Sequence, residues 1–391
     1  MPEPHITGSA RISQHRRGHL TSAPRPRSES ASPAGSAPPD RPPGRSSRKD
    51  SFVLTDLGIS LPVLAAPMAG GPTAPNLVTA AGHAGSMGFL AGGYKTPAAL
   101  AEQITAVRAD EVPFGVNLFV PNPVPVSDED YRAYRDALLP EAGRYGVHLP
   151  ETPVEDDDHW AAKIDLLLAD PVPVVSLTFG LPHRDVVAAL RAAGSMVVQT
   201  VTSAPEARLA EEAGVDALIV QSSAAGGHSG TFTPARTPPG VPLPRLLRDV
   251  RADTDLPLIG TGGISRPADV AAAVDAGAEA VTVGTALLRT HESGASAPHK
   301  TALADPDFDE TVVTRAFTGR PARALRNHFT DRYEPIAPCA YPAVHHLTGP
   351  LRKAASNAGD TGLIHLWAGT GHRDAREEPA ADTLTRLAGE G

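Results

Sequence analysis

The sequence predicts a (β/α)8 barrel, and three observations carry that expectation. Eight short apolar runs, each the length of a buried strand, recur at 63–66, 88–91, 114–118, 174–178, 196–200, 217–220, 257–261 and 280–283. They are continuous rather than alternating, as in parallel strands covered on both faces. Alanine-rich stretches with helical spacing, such as 205–213 and 267–276, separate most of them. Eight such units in about 240 residues match the size of a barrel. A doubly wound open sheet uses the same units, and the sequence alone does not separate a closed sheet from an open one.

The punctuation supports each unit in turn. Ala-Gly pairs close the helical stretches at Gly194, Gly214 and Gly277, where an αβ loop needs a left-handed cap. Pro205 and Pro267 fall near helix starts, where a missing N–H costs little. The interval between Leu118 and Val174 is too long for one crossover. It holds a helical pattern over 128–144 and an acidic run at 155–158, which reads as a solvated face. A helical insertion over 121–170, above the strand ends, is expected. After Thr285 the rhythm stops, and 310–391 carries helical patterns with clustered His, Tyr and Trp. The expected organisation is a tail at 1–50, a barrel at 51–309 and a C-terminal helical cap on the substrate side at 310–391.

Composition narrows the function. Of 391 residues 41% are apolar but only 4% aromatic, so the core must be aliphatic. One cysteine, Cys339, excludes an internal disulfide, a thiolate metal cluster and a redox pair. Residues 1–50 hold nine basic and four acidic side chains, leaving 26 basic and 40 acidic in the rest. An acidic body repels polyanions, so a small-molecule substrate is expected rather than nucleic acid. No run approaches the ~18 apolar residues of a membrane span. The basic start lacks the apolar core of a secretory signal, and a cytoplasmic protein is expected. Nine prolines in that start would break a transit-type amphipathic helix, so it reads as a disordered tail.

The chemistry of a barrel lies at the C-terminal ends of its strands. Gly262 and Gly263 follow the seventh run, and Gly284 and Thr285 the eighth, each pair ahead of a helical stretch. Two such pairs on adjacent strands make a phosphate cup, because bare backbone N–H groups and a helix N-terminus favour an anion. Sugar phosphates and flavin mononucleotide (FMN) both fit such a cup. Asn117, Gln199 and Gln221 end or interrupt apolar runs, and burying an amide without partners costs about 1–3 kcal/mol. A flat heterocycle edged with carbonyls and N–H groups would satisfy them. His228 is the histidine of a glycine-rich strand-end loop, with a side chain suited to proton transfer near neutrality. His345 and His346 are adjacent, so their side chains diverge on a helix, and no metal site is expected. No G-x-S-x-G, Walker loop or H-E-x-x-H occurs.

At these residues the chain resembles the nitronate monooxygenase family, formerly called 2-nitropropane dioxygenases, which are FMN-dependent barrels. The likeness runs over about 57–370. It is carried by Ala66, Pro67 and Met68; by Gly115, Asn117 and Leu118; and by 175–180. Gln221 with 225–230, then Gly262, Gly263 and Ile264, then Val283, Gly284 and Thr285 continue it. Ala340, Tyr341 and Pro342 and the stretch 366–369 complete it. The resemblance implies flavin contacts at Met68, Asn117, Gln221, Gly226, Gly263, Thr282, Val283, Gly284 and Thr285. Gln199, Gly227 and Gly262 join that set from the residue pattern. His228 matches the family's loop histidine, as anchor of the nitronate or acceptor of a nitroalkane's α-proton. Thr178, Tyr341 and His345 would line the substrate pocket. Three positions depart from the bacterial class I pattern. Thr178 stands where it has histidine, His345 where it has tyrosine, and Gly349 where it has lysine. The implied activity is oxidation of alkyl nitronates by O2 to a carbonyl compound and nitrite. An NAD(P)H-dependent flavin reductase of quinones or enoyl thioesters, and a flavin-binding protein without turnover, are the alternatives.

Overall fold

Parallel strands with no free edge define the architecture of the computed structural model, which describes residues 57–390. The barrel strands are β1 (Val63–Ala65), β2 (Gly88–Ala91), β3 (Phe114–Phe119), β4 (Val174–Thr178), β5 (Met196–Val201), β6 (Ala217–Gln221), β8 (Leu258–Thr261) and β9 (Ala280–Val283). The ring closes where β1 pairs with β9, Val63 opposite Val281 and Ala65 opposite Val283. Closure decides between the two architectures the sequence left open. The expected tail at 1–50 lies outside the described residues.

Helices α1 (Pro75–His83), α2 (Pro97–Arg108), α4 (Trp160–Ala169), α5 (Arg184–Ala192), α6 (Ala204–Ala213), α7 (Leu243–Arg251) and α8 (Pro267–Asp275) cover the outside. Gly194, Gly214 and Gly277 follow α5, α6 and α8 at positive φ, as the Ala-Gly punctuation predicts.

Parity along each strand divides the side chains into two sets. Val63, Val175, Leu177, Val197, Val201, Leu218, Val220 and Val281 point outward into the core under the helices. Leu64, Phe89, Val174, Val198, Ile219, Ile259 and Ala280 fill the lumen. One step higher on the same parity the lumen turns polar, with Asn117, Ser176, Thr178, Thr200, Gln221, Thr261 and Thr282.

Two expectations about the domains need correction. Within the insertion only α3 (Asp128–Arg144) is extra, because α4 packs on β3 as the barrel's own crossover helix. Ser127 caps α3 through the N–H of Asp130 at 3.1 Å, and the acids in its first turn suit the helix dipole. Tyr131, Tyr134 and Leu138 form its buried face.

The cap is not wholly helical either. A three-stranded antiparallel sheet joins β10 (Thr311–Thr314), β11 (Ala322–Leu325) and β7 (Gly227–His228). Helices α9 (Ala297–Ala304), α10 (His328–Tyr333) and α11 (Ala343–Ala358) complete the cap, and α11 packs on α3. Their shared core holds Tyr134, Phe317, Phe329, Leu347 and Leu351. The last helix, α12 (Ala380–Ala388), returns to the barrel and packs on α1, β1 and α8. It is the eighth barrel helix, delivered after a long excursion. Among the described residues no helix is long and apolar enough to cross a membrane.

Leu384 of α12 is fully buried in the barrel core. Leu384→Ala is therefore expected to destabilise the protein by about 2–5 kcal/mol, read from chemical denaturation. An unchanged midpoint would detach α12 from the barrel.

Candidate active site

Above the polar layer lies a cavity of about 560 Å3, roofed by α11 and by 364–371. Met68, Asn117, Thr178, Gln221, Gly226, Gly227, His228, Gly262, Gly263, Thr282, Val283, Gly284, Thr285, His345 and Gly349 all line it. Two expected residues do not. Gln199 has the outward parity of Val197 and Val201, and its Nε2 donates to the carbonyls of Leu177, Gly180 and Thr200 at 3.1–3.2 Å. It staples strand ends from outside the lumen. Tyr341 stands one layer behind the wall, with its hydroxyl 3.4 Å from that of Tyr94. Tyr94 is the lining residue instead, stacked flat on His345 with ring centres 4.2 Å apart.

The glycine-rich loops meet backbone to backbone. A Cβ on Gly226 would lie 2.6 Å from the amide nitrogen of Gly369, and one on Gly262 2.9 Å from that of Ala225. Gly369 N–H donates to Thr285 Oγ1 at 2.9 Å, tying the roof to the end of β9. The N–H groups of Gly263 and Thr285 have no acceptor among the described residues. The helix ends expected at this cup are not open to a ligand in the same way. Thr285–Leu287 is only a 3-10 turn, and Asp269 already caps α8 through the N–H groups of Ser265 and Arg266. An anion seated here would meet bare backbone N–H groups, with a carboxylate standing at the start of α8.

Polar atoms in the lumen also lack partners. Thr282 Oγ1 is buried with none. Asn117 donates from Nδ2 to Ser176 O, Ser176 Oγ and Thr178 Oγ1 at 2.9–3.2 Å, while its Oδ1 accepts nothing among the described residues. A buried hydroxyl such as Thr282 Oγ1 is normally satisfied, so this end of the lumen has capacity for a polar partner.

The loop carrying His228 is held from three sides. Gln221 donates from Nε2 to His228 O at 3.2 Å and accepts from Gly230 N–H at 2.7 Å, so both ends of this amide serve the loop. Arg320 is fully buried, lies 4.0 Å from the centre of the Phe179 ring, and donates to the carbonyls of Ser229, Thr231 and Phe179. Glu206 accepts from Thr231 Oγ1 and from Phe232 N–H at 2.7–2.8 Å. The imidazole Nε2 lies 2.9 Å from Thr318 Oγ1, and the Trp367, Phe179 and Tyr341 rings surround it. Burial, reinforced by the charges of Arg320 and Arg352, pushes its pKa down to about 3. The histidine is neutral at physiological pH, which corrects the expectation of titration near neutrality.

The family model described as nitronate monooxygenase matches residues 51–389. The chain belongs to the nitronate monooxygenase family. Membership makes it a flavin-dependent oxidoreductase of nitronates. A probable nitronate monooxygenase of Staphylococcus aureus strain Newman is 34% identical over 336 residues, 85% of this chain and 94% of that one. Among solved structures, nitroalkane oxidase from Streptomyces ansochromogenes superposes with a TM-score of 0.82 at 48% identity, covering 86% of this chain and 97% of its own. FabK from Thermotoga maritima reaches 0.67 at 26% identity, covering 86% and 94%.

Tyr94, Thr200, Arg352, His365 and Trp367 also line the cavity, beyond the site residues expected from the sequence. Helical spacing was the available signal for Arg352, which lies seven residues after His345 on α11. Thr200 ends the fifth apolar run and Trp367 lies in the stretch 366–369, so both had a local signal; for Tyr94 and His365 the signal was only proximity in the folded chain.

A pH profile tests the state of His228. An imidazole with a lowered pKa gains its proton only as pH falls toward about 3. Its charge is then constant between about pH 5.5 and 8, and kcat/KM for a preformed nitronate should show no His228 inflection there. An inflection near 6.5 that vanishes in His228→Asn would contradict this.

Proposed function

We propose that the cavity binds FMN and that the enzyme oxidises alkyl nitronates with O2 to a carbonyl compound and nitrite. The observation that carries this reading is one cavity holding both a bare-backbone anion cradle and orphaned polar atoms beside it. Gly263, Gly284 and Thr285 would hold the phosphate. Met68, Asn117, Thr282 and Val283 would meet the ring system. Gly226 and Gly262 keep the surrounding loops close enough to do so. The bound flavin supplies the electron-transfer chemistry; the chain binds, orients and shields the substrate.

His228 belongs to the substrate side. As a neutral imidazole it is a weak base and a good hydrogen-bond partner, which favours anchoring a nitro oxygen over removing an α-proton. Thr178 offers a hydroxyl, already shared with Asn117 and Thr200 at 2.9 and 3.2 Å, and no base. His345 and His365 are also held well below the ordinary imidazole range by burial and by Arg352. The site therefore lacks a strong base for neutral nitroalkanes.

Two outcomes follow for the purified protein. It should be yellow and release FMN on denaturation, and Gly263→Val should lose the flavin, because Gly263 holds a positive φ of 78° that a β-branched residue resists, so the substitution distorts the cradle backbone. A colourless protein that does not take up FMN would end the reading. Since general-base catalysis is worth roughly 10²–10⁴-fold, kcat/KM for a preformed nitronate should exceed that for its nitroalkane by about that range. His228→Asn should keep FMN and lose affinity for both substrates; parental kinetics would make the histidine a bystander. Anaerobic mixing separates the reductase alternative: a nitronate should bleach the flavin and NADPH should not.

A further inference from the structure

Helix α11 presents His345, Gly349, Arg352 and Ser356 to the cavity at helical spacing. Arg352 is 6% exposed, and none of its hydrogen-bond partners among the described residues is a carboxylate. Its Nε donates to Thr348 Oγ1 and its Nη2 to His345 O, each at 2.9 Å. The remaining neighbours are imidazoles: Nη2 lies 3.4 Å from His345 Nδ1, and Nη1 lies 3.3 and 3.4 Å from the two ring nitrogens of His365. A neutral imidazole has one acceptor nitrogen, so His365 can take only one Nη1 proton. One of the five guanidinium N–H groups is left over.

A buried cation normally has a counter-charge, because leaving it alone is costly. Here every side chain touching the guanidinium is neutral, and the nearby carboxylates Asp158 and Asp156 are paired with Lys163 and His346. Burial and this arginine's own charge keep His345 and His365 uncharged, and with Arg320 it does the same to His228. The Tyr94 hydroxyl is pushed up to about 12 by burial and stays protonated. Arg320 lies behind Phe179, and Lys353 stands at the rim. Arg352 itself, although lowered to about 10 by burial, remains charged at neutral pH. Gly349 leaves the approach open, since the nearest atom to a Cβ built there is Arg352 Nη2 at 4.0 Å.

We propose that Arg352 binds the anionic head of the substrate, pairing its guanidinium with a planar XO2 group on the cavity side of α11. This rests on the nitronate reading and deepens it. A nitronate carries its charge on two oxygens of one planar nitrogen, the shape of a carboxylate, and a guanidinium recognises that shape better than an ammonium. The substrate class is therefore the preformed anion, and small carboxylates should compete for the same place.

The test uses FMN-loaded enzyme and two variants. Arg352→Gln removes the charge. Gly349→Glu places a carboxylate beside it on a helix position with open space, and replaces a poor helix former. Propionate binding is followed as a perturbation of the flavin spectrum, and turnover is measured with a preformed nitronate and with its neutral nitroalkane. Both variants should keep FMN and their melting temperature. Both should raise the propionate Kd and the nitronate KM at least about tenfold, the scale of a charge-assisted bond, and change the nitroalkane KM far less. If Arg352→Gln does not fold, Gly349→Glu decides alone. Unchanged propionate Kd and nitronate KM in Gly349→Glu would overturn the proposal. Loss of FMN from both variants would also overturn it, by moving the arginine to the cofactor. If the parent enzyme fails to oxidise nitronates yet binds propionate through Arg352, the anion site stands and the nitronate reading falls.

Discussion

Everything at the site depends on the closure of β1 onto β9. Once the parallel sheet is a ring, the two-residue period of each strand assigns every side chain to the lumen or to the helix layer. The lumen then has a floor of Leu64, Phe89, Val198 and Ile259. Above it lies a ceiling of hydroxyls and amides that includes Asn117, Thr200 and Thr282. An apolar floor is dry and fixed. A polar ceiling that the protein leaves partly unsatisfied is a seat for a ligand with a polar edge. Gln199 shows the strength of the constraint: one residue of parity takes an amide at a strand end out of the site.

The electrostatics follow from what closes over that seat. Helix α11 and the segment 364–371 bring Arg352, His345, His365 and Trp367 against the loop of His228, and their burial removes the water that would let the imidazoles charge. With Arg352 beside them, the histidines stay neutral and the cavity keeps a positive centre. The loop itself has little freedom, since Gln221, Arg320 and Glu206 hold its backbone on successive residues. Positioning by a buried cation, an amide and a carboxylate leaves the imidazole fixed at the cavity wall.

The roof has a core of its own. Helix α3 leaves the barrel after β3 and meets α11, and Tyr134 reaches across to donate to Ala316 O at 2.6 Å. Phe317 and Phe329 stack in that second core with ring centres 4.5 Å apart. Two segments far apart in the chain thus build one cover, and α12 then returns to complete the helix layer. Barrel and roof are covalently interleaved, so the cover is part of the fold and not a separate lid.

Much was legible in the sequence because it was local. Strand runs, helix caps and the glycine pairs are written in short windows, and 128–144 matched a helix in full. The order of those windows gave eight strand–helix units and, by resemblance, the family and the loop of His228. Other features depend on contacts between distant residues. Barrel closure, the return of α12 and the substitution of Tyr94 for Tyr341 in the wall all needed the folded chain. So did the 3-10 turn that replaces a helix after Thr285 and the charge state of His228. An ionisation is set by burial and by neighbouring charge, and Arg352 approaches that histidine only through tertiary packing. Sequence determined which groups the chain carries to the strand ends; tertiary structure decided which of them face the cavity and which stay charged there, because both depend on distances between residues far apart along the backbone.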